Sequence, residues 1–326
     1  MRKHITFAVA LALIVLVAIT PASAQFGDIL KKAEKAKKVS DTFTPWTPEQ
    51  ERAIGEASAA KLVAMFGLYD NPSMQHYVST VGHAVAQHGS TRPMQYKFGI
   101  LDTESVNALA MPGGYIFVTR GLLANMGSEA ELAGVLGHEI AHVDSRHLEK
   151  QIRTKQATGM GMQEIGDRVP GPGILKDLAN NVVTNALTMA YTRDKESEAD
   201  SKGLEASAGA GYDATGLIKF LSTLKAAEDA DPANAKRSLG LWGSTHPPLS
   251  ERISSLTSLA GKFSGGQTLA DRYAKLASFG PTEEELKKAA EEKAAAEKAE
   301  AERKTAEEAA KKKAATTPKK TTPKKR

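Results

Sequence analysis

The 326-residue chain is predicted to form an α+β domain, mostly helical, with one small sheet. Apolar residues recur at helical spacing in several capped segments after Thr47. Runs rich in β-branched and aromatic residues are confined to the stretch from Gln95 to Thr119. A third observation puts chemistry on one of the helices. His138-Glu139-Ile140-Ala141-His142 sets two histidines four residues apart, on one helical face.

The elements follow in order. Thr47 as cap, Pro48 at the first position and Gln50 predict a helix to about Phe66. Asn71 and Pro72 open a second, closing near Gly89. Gln95 to Asp102 reads as a strand. Met111-Pro112-Gly113-Gly114 reads as a turn into a strand over Tyr115–Thr119. The glycines leave backbone accessible there, so an extended peptide is expected to pair along that edge, with Gly113, Gly114 and Tyr115 against it. Ser128 and Glu131 have capping-box spacing ahead of Leu132, Val135, Leu136, Ile140 and Val143, the apolar stripe of the histidine helix. Gly134 and Gly137 weaken that helix by roughly 1 kcal/mol each relative to alanine. Close approach of neighbouring elements is the expected compensation. The glycine- and proline-rich stretch 159–173 reads as a loop or lid. Helices follow over about Leu175–Met189, around Glu196, and from an Asp213 cap to about Ala227. A loop over 228–243 precedes a last helix from about Leu249.

Ring nitrogens of His138 and His142 can meet on one metal ion, and Glu139 is placed to take a proton from water held there. The third ligand decides the class. Ser145 and Leu148 stand where the His-x-x-Gly-x-x-His extension needs glycine and histidine, so that version fails. A carboxylate from a later helix is the other common solution. Glu196 and Asp200 share one helical face; Glu196 can bind zinc while Asp200 fixes the tautomer of a ligand histidine. Glu198 faces another way and is the weaker candidate. His83 and His147 have no evident purpose in the sequence.

Blocks beyond the histidine motif occur in order: Asn107-Ala-Leu-Ala-Met-Pro-Gly-Gly-Tyr-Ile-Phe-Val-Thr119, Tyr191-Thr-Arg-Asp-Lys-Glu196, Glu198-Ala-Asp200 and Thr245-His-Pro-Pro248. On these residues the chain resembles the M48-type zinc metallopeptidases, the group containing bacterial periplasmic quality-control proteases. The resemblance implies a zincin-like (gluzincin) fold with a small sheet beside the HExxH helix, and one catalytic zinc per chain. It implies His138, His142 and Glu196 as ligands, Glu139 as base, an edge strand of the Tyr115–Thr119 kind that lies beside the zinc helix and holds substrate backbone, and Asn107 as a further substrate residue. His246, on a loop stiffened by two prolines, would steady the tetrahedral oxyanion or occupy zinc's open position at rest. Arg252, in the same block, would pair with a site carboxylate such as Asp200.

The ends set the expected compartment. Arg2 and Lys3, an apolar run from Ile5 to Ile19, and Pro21-Ala-Ser-Ala24 have the layout of a secretory signal peptide over 1–24. A basic linker over 25–46, the peptidase domain over 47–281 and an Ala/Glu/Lys-rich helical or disordered tail over 282–326 complete the plan. There is no cysteine, so neither a disulfide nor a lipidated cysteine is available. The net charge of +5 is concentrated at the ends, leaving an acidic body and no basic nucleic-acid face.

The expectation is therefore a periplasmic, zinc-dependent endopeptidase cleaving unfolded or misassembled envelope polypeptides. The tail is expected to be a solubilising segment, with contact to anionic envelope polymer or membrane surface as the sharper reading. The alternative is a zinc-bearing chaperone or scaffold whose protease site is gated or little used.

Overall fold

The computed structural model describes residues 45–157, 169–231, 245–246 and 249–277. The expected signal peptide, most of the linker, the tail and most of both predicted loops lie outside the described residues.

Helix α1 (Pro48–Phe66) begins as the sequence predicts: Thr47 and Gln50 exchange both capping-box hydrogen bonds, with Pro48 at the first position. Asn71 caps α2 (Pro72–Gly89) through its side chain. Three strands follow, β1 (Lys97–Leu101), β2 (Ala108–Met111) and β3 (Tyr115–Thr119), with a 3₁₀ turn over Pro112–Gly114 between the last two. Gly113 and Gly114 take φ of 72° and 87°, the left-handed region that the turn demands and glycine supplies.

The sheet order is β1-β3-β2, with β1 parallel and β2 antiparallel to β3. This corrects one expectation. Tyr115–Thr119 is the central strand, bonded on both sides, and leaves no edge for a peptide. The sheet's border beside the histidine helix is β2. Alternation along β3 divides the core: Tyr115 and Phe117 join Trp46, Ile54, Leu62, Leu148 and Val182 in one cluster, and Ile116 and Val118 face the other way.

After a short α3 (Arg120–Ala124), Ser128 caps α4 (Glu129–Asp144), the histidine helix. Its capping box is only half formed. Ser128 Oγ accepts from Glu131 N–H, but the Glu131 carboxylate turns to Gly127 N–H at 3.1 Å. Then come α5 (His147–Ala157), α6 (Pro172–Thr188), α7 (Arg193–Gly209), α8 (Gly216–Ala230), α9 (Leu249–Ala260) and α10 (Ala270–Leu276). Helix α6 starts inside the stretch expected to be loop. Asp213 does not cap α8: its carboxylate accepts from Thr215 N–H and Oγ1 in a turn ahead of the helix, which begins after Thr215. Among the described residues no helix is long and apolar enough to cross a membrane.

Helix α4 lies at the centre, buried along its whole length and packed by α2, α7, α8 and β2. Its glycines explain how. A Cβ at Gly134 would stand 2.6 Å from Leu217 N, and one at Gly137 would stand 2.5 Å from Gly203 O. Helices α4 and α7 thus touch backbone to backbone.

Candidate metal centre

The α4–α7 contact brings the two halves of the centre together. Gly203 sits over His138 N, at 2.5 Å from the Cβ that any other residue would carry, so α7 lies flat against the His138 turn. One and two turns earlier on α7 are Asp200 and Glu196, which meet the histidine face of α4.

His138 Nε2 and His142 Nε2 are 3.0 Å apart, and Glu196 places Oε2 3.7 Å from the first and Oε1 3.6 Å from the second. His246 joins them; each of the four offers a donor atom within 4.8 Å of the others, and all four are buried. Donors about 2.0–2.1 Å from one ion at tetrahedral angles stand roughly 3.4 Å apart, so the spacings fit a metal. Neither Glu196 oxygen accepts a hydrogen bond, although Arg252 Nη1 lies 3.1 Å from Oε2. A buried carboxylate that accepts no hydrogen bond, and shares its one guanidinium partner with Asp200, is suited to complete its coordination with a metal ion.

The charge states agree. Burial pushes Glu139 up to about 8, against the pull of Arg252. Burial likewise pushes Glu196 up to about 8, with Arg252 opposing and Asp200 adding to the rise. Burial, then the neighbouring rings and Arg252, hold His142 well below the ordinary imidazole value. His138 is lowered by burial and by Arg252. Burial thus disfavours the charged forms of Glu139, Glu196, His138 and His142, and a divalent cation would favour the carboxylate forms.

Each ligand histidine is held from behind. Asp200 Oδ1 lies 2.9 Å from His138 Nδ1, as expected for a tautomer-fixing carboxylate. Asp200 itself accepts from Arg252 Nε at 2.9 Å and Nη2 at 2.7 Å. Burial alone would raise its pKa, but Arg252 and His138 hold it well below the usual carboxylate range. Arg252 Nη1 also donates to His246 O at 3.2 Å, tying the histidine loop to the carboxylates. The expected Arg252–Asp200 pair is present.

His142 is held differently. Its Nδ1 lies 2.8 Å from His147 Nδ1, and His147 Nε2 lies 3.2 Å from Glu198 Oε2. Tyr191 stacks on the His142 ring, centroids 4.1 Å apart at 19°. His147 and Tyr191 were missed as site residues, and Glu198 was weighed only as the weaker ligand candidate. His147 falls five positions after His142, beyond the end of α4, so no helical periodicity joins the two. Tyr191 sat in a recognised block with no role attached.

Glu139 is buried beside the donors, and its Oε1 is 3.8 Å from His246 Nε2. The predicted substrate residues have other partners. Asn107 is buried at the start of β2, its Oδ1 accepting from Ala108 N–H. Gly113 packs on Arg52 and Glu51 of α1, Gly114 on Met94 and Gln95, and Tyr115 Oη accepts from Lys97 Nζ at 2.8 Å. The structure places none of these four among the metal donors.

The family model for peptidase family M48 matches residues 72–260. The chain is 32% identical over 185 residues to the putative beta-barrel assembly-enhancing protease of Vibrio cholerae, covering 55% of this chain and 38% of that protein. It is 24% identical over 182 residues to the beta-barrel assembly-enhancing protease of Escherichia coli K12, covering 54% and 37%. It is 28% identical over 179 residues to the metalloprotease YcaL of the same organism, covering 54% and 65%. The chain therefore spans less than two fifths of the length of the first two relatives.

Proposed function

The chain belongs to peptidase family M48 and carries a metallopeptidase ligand set, and we propose that it is a zinc-dependent endopeptidase. Its proposed substrates are unfolded or misassembled polypeptides of the cell envelope. The observation that carries the activity is the buried set of His138, His142 and Glu196 beside Glu139. The envelope setting rests on the signal-like segment 1–24 and on the names of the relatives.

When bound, zinc would polarise the scissile carbonyl and lower the pKa of a water at the site. Imidazole and carboxylate donors fit zinc, though they are shared with other divalent metals. Glu139 accepts the proton of the attacking water and passes it to the leaving amine. Its environment makes it a strong base for a carboxylate, since burial disfavours its charged form. Asp200 and Arg252 hold His138 in the tautomer that leaves Nε2 free to bind. The border strand β2, beside α4, is the place for an extended substrate to add as a further strand.

His246 stands among the donors, and the centre is closed around it. With a metal bound, His246 would be a fourth donor, in competition with the attacking water. It must withdraw before a substrate is cut, after which it can donate to the oxyanion. The same closure favours a second reading, a zinc-bearing chaperone or scaffold whose cleavage is gated.

Glu139→Gln tests both. General acid–base catalysis contributes about 10²–10⁴-fold. The variant should therefore lose cleavage of an unfolded protein such as casein by about that factor while keeping its metal. Undiminished cleavage would refute Glu139 as base. Lost cleavage with intact cellular function would favour the chaperone.

A further inference from the structure

We propose that His147 and Glu198 form a relay that fixes the tautomer of His142, so that its Nε2 lone pair is free for the metal. The proposal rests on the reading of His142 as a ligand and assigns roles to two residues outside the donor set.

The hydrogen bonds can be directed in only one self-consistent way from the outer end. Glu198 is 42% exposed at its side chain, and its Oε1 accepts from Ser145 Oγ at 2.8 Å and from Lys202 Nζ at 2.7 Å. That leaves Oε2 for His147 Nε2, at 3.2 Å. A carboxylate only accepts, so His147 carries its proton on Nε2. Its Nδ1 then presents a lone pair to His142 Nδ1, 2.8 Å away. Two lone pairs at that distance repel, so the proton between them belongs to His142 Nδ1. Neutral His142 has one ring proton, and its Nε2 is therefore a lone pair, pointing at His138 Nε2 and Glu196.

The direction matters because the other tautomer would put a proton where the metal has to be. His138 reaches the same result with one carboxylate in direct contact, Asp200. His142 needs an intermediate ring because its Nδ1 side faces His147, which is itself buried, and not α7. Helix α7 supplies three carboxylates at alternate positions: Glu196 binds, Glu198 acts through His147, and Asp200 acts on His138. The negative charge of Glu198, conducted through the polarised His147, also raises the basicity of His142 toward the metal. His147 and Glu198 are positioning residues, since neither is placed to touch substrate.

The test uses the zinc-loaded full chain, with chelator competition for zinc and long-range proton–nitrogen spectra of the histidine rings. The expected spectrum has the His147 proton on Nε2. Loss of an outer-shell partner typically costs about 10–100-fold in metal affinity. Glu198→Ala should therefore weaken zinc binding by about tenfold or more. Glu198→Gln, whose amide oxygen still accepts from Nε2, should recover most of it. Lys225→Met removes a salt bridge on α8 that has no contact with the relay and should hold zinc as the natural chain does. A His147 proton on Nδ1, or unchanged zinc affinity in Glu198→Ala, would overturn the relay. If Glu198→Ala does not fold, the ring spectrum of the unaltered chain decides alone. Failure of the ligand reading looks different: the unaltered chain itself would hold no zinc.

Discussion

At the scale of single residues, Arg252 carries the charge balance of the centre. It is buried, and its guanidinium meets Asp200, Glu196 and the His246 carbonyl at once. Removing one partner of a buried ion pair costs about 3–5 kcal/mol because the other is left uncompensated. Arg252→Met should lower the unfolding free energy by about that much and weaken metal retention, as read by denaturant titration and metal analysis. His246→Ala should raise the rate of peptide cleavage, because it frees the position that the closed centre fills; a fall in rate would mean that the oxyanion role dominates. Glu129 accepts from Tyr77 at 2.6 Å and Tyr212 at 2.8 Å, and pairs with Arg272. Burial would raise its pKa, but those hydrogen bonds hold it below the ordinary carboxylate value. A lowered folded pKa gives stability that is present at neutral pH and lost as pH falls through the carboxylate range. Glu129→Gln should therefore lose stability at pH 7 but little at low pH, flattening the acid limb of a melting-temperature profile.

At the scale of elements, the centre depends on how closely α7 can approach α4. Gly203→Ala would set a methyl 2.5 Å from His138 N, against backbone that cannot turn aside. Overpacking of this kind typically costs about 1–3 kcal/mol. It should also move Glu196 away from the histidines, so metal affinity falls more than thermal stability does; equal metal binding in a folded variant would contradict the backbone contact. The α4 glycines were legible as a close approach because their helix cost needed a reason, but the partner was not. The caps at Thr47, Asn71 and Ser128 were legible because each uses a short-range bond within three residues. Sheet order was not, because β1 reaches β3 past β2 and local pattern is silent on such a crossing. That is why the edge was assigned to Tyr115–Thr119, when the border lies one strand earlier. Asp213 has the composition of a cap and serves a turn instead, a choice that depends on packing around Thr215. His147 escaped for a related reason: it meets His142 across a helix end, where periodicity stops.

At the scale of the whole molecule, the residues that form the site lie within the family match, 72–260, and the ends of the chain lie outside it. Net charge follows the same division, basic at the ends and acidic in the body. Deleting 282–326 should leave casein cleavage by the rest of the chain unchanged; loss of retention on anionic envelope polymer or lipid vesicles in a cosedimentation assay would mark the tail as a tether and not only a solubilising segment. Metal removal should act on the body. Binding to the folded state alone stabilises it by mass action. A chelator should therefore lower the melting temperature, and added zinc should restore it. The central claim, that α4 and α7 meet around one metal ion, is tested most directly by metal analysis of the purified, folded chain beside its Glu196→Ala variant. One zinc per chain, lost or greatly weakened in the variant, is the predicted result. A folded chain that holds no metal, or a variant that holds it as tightly, would contradict the claim.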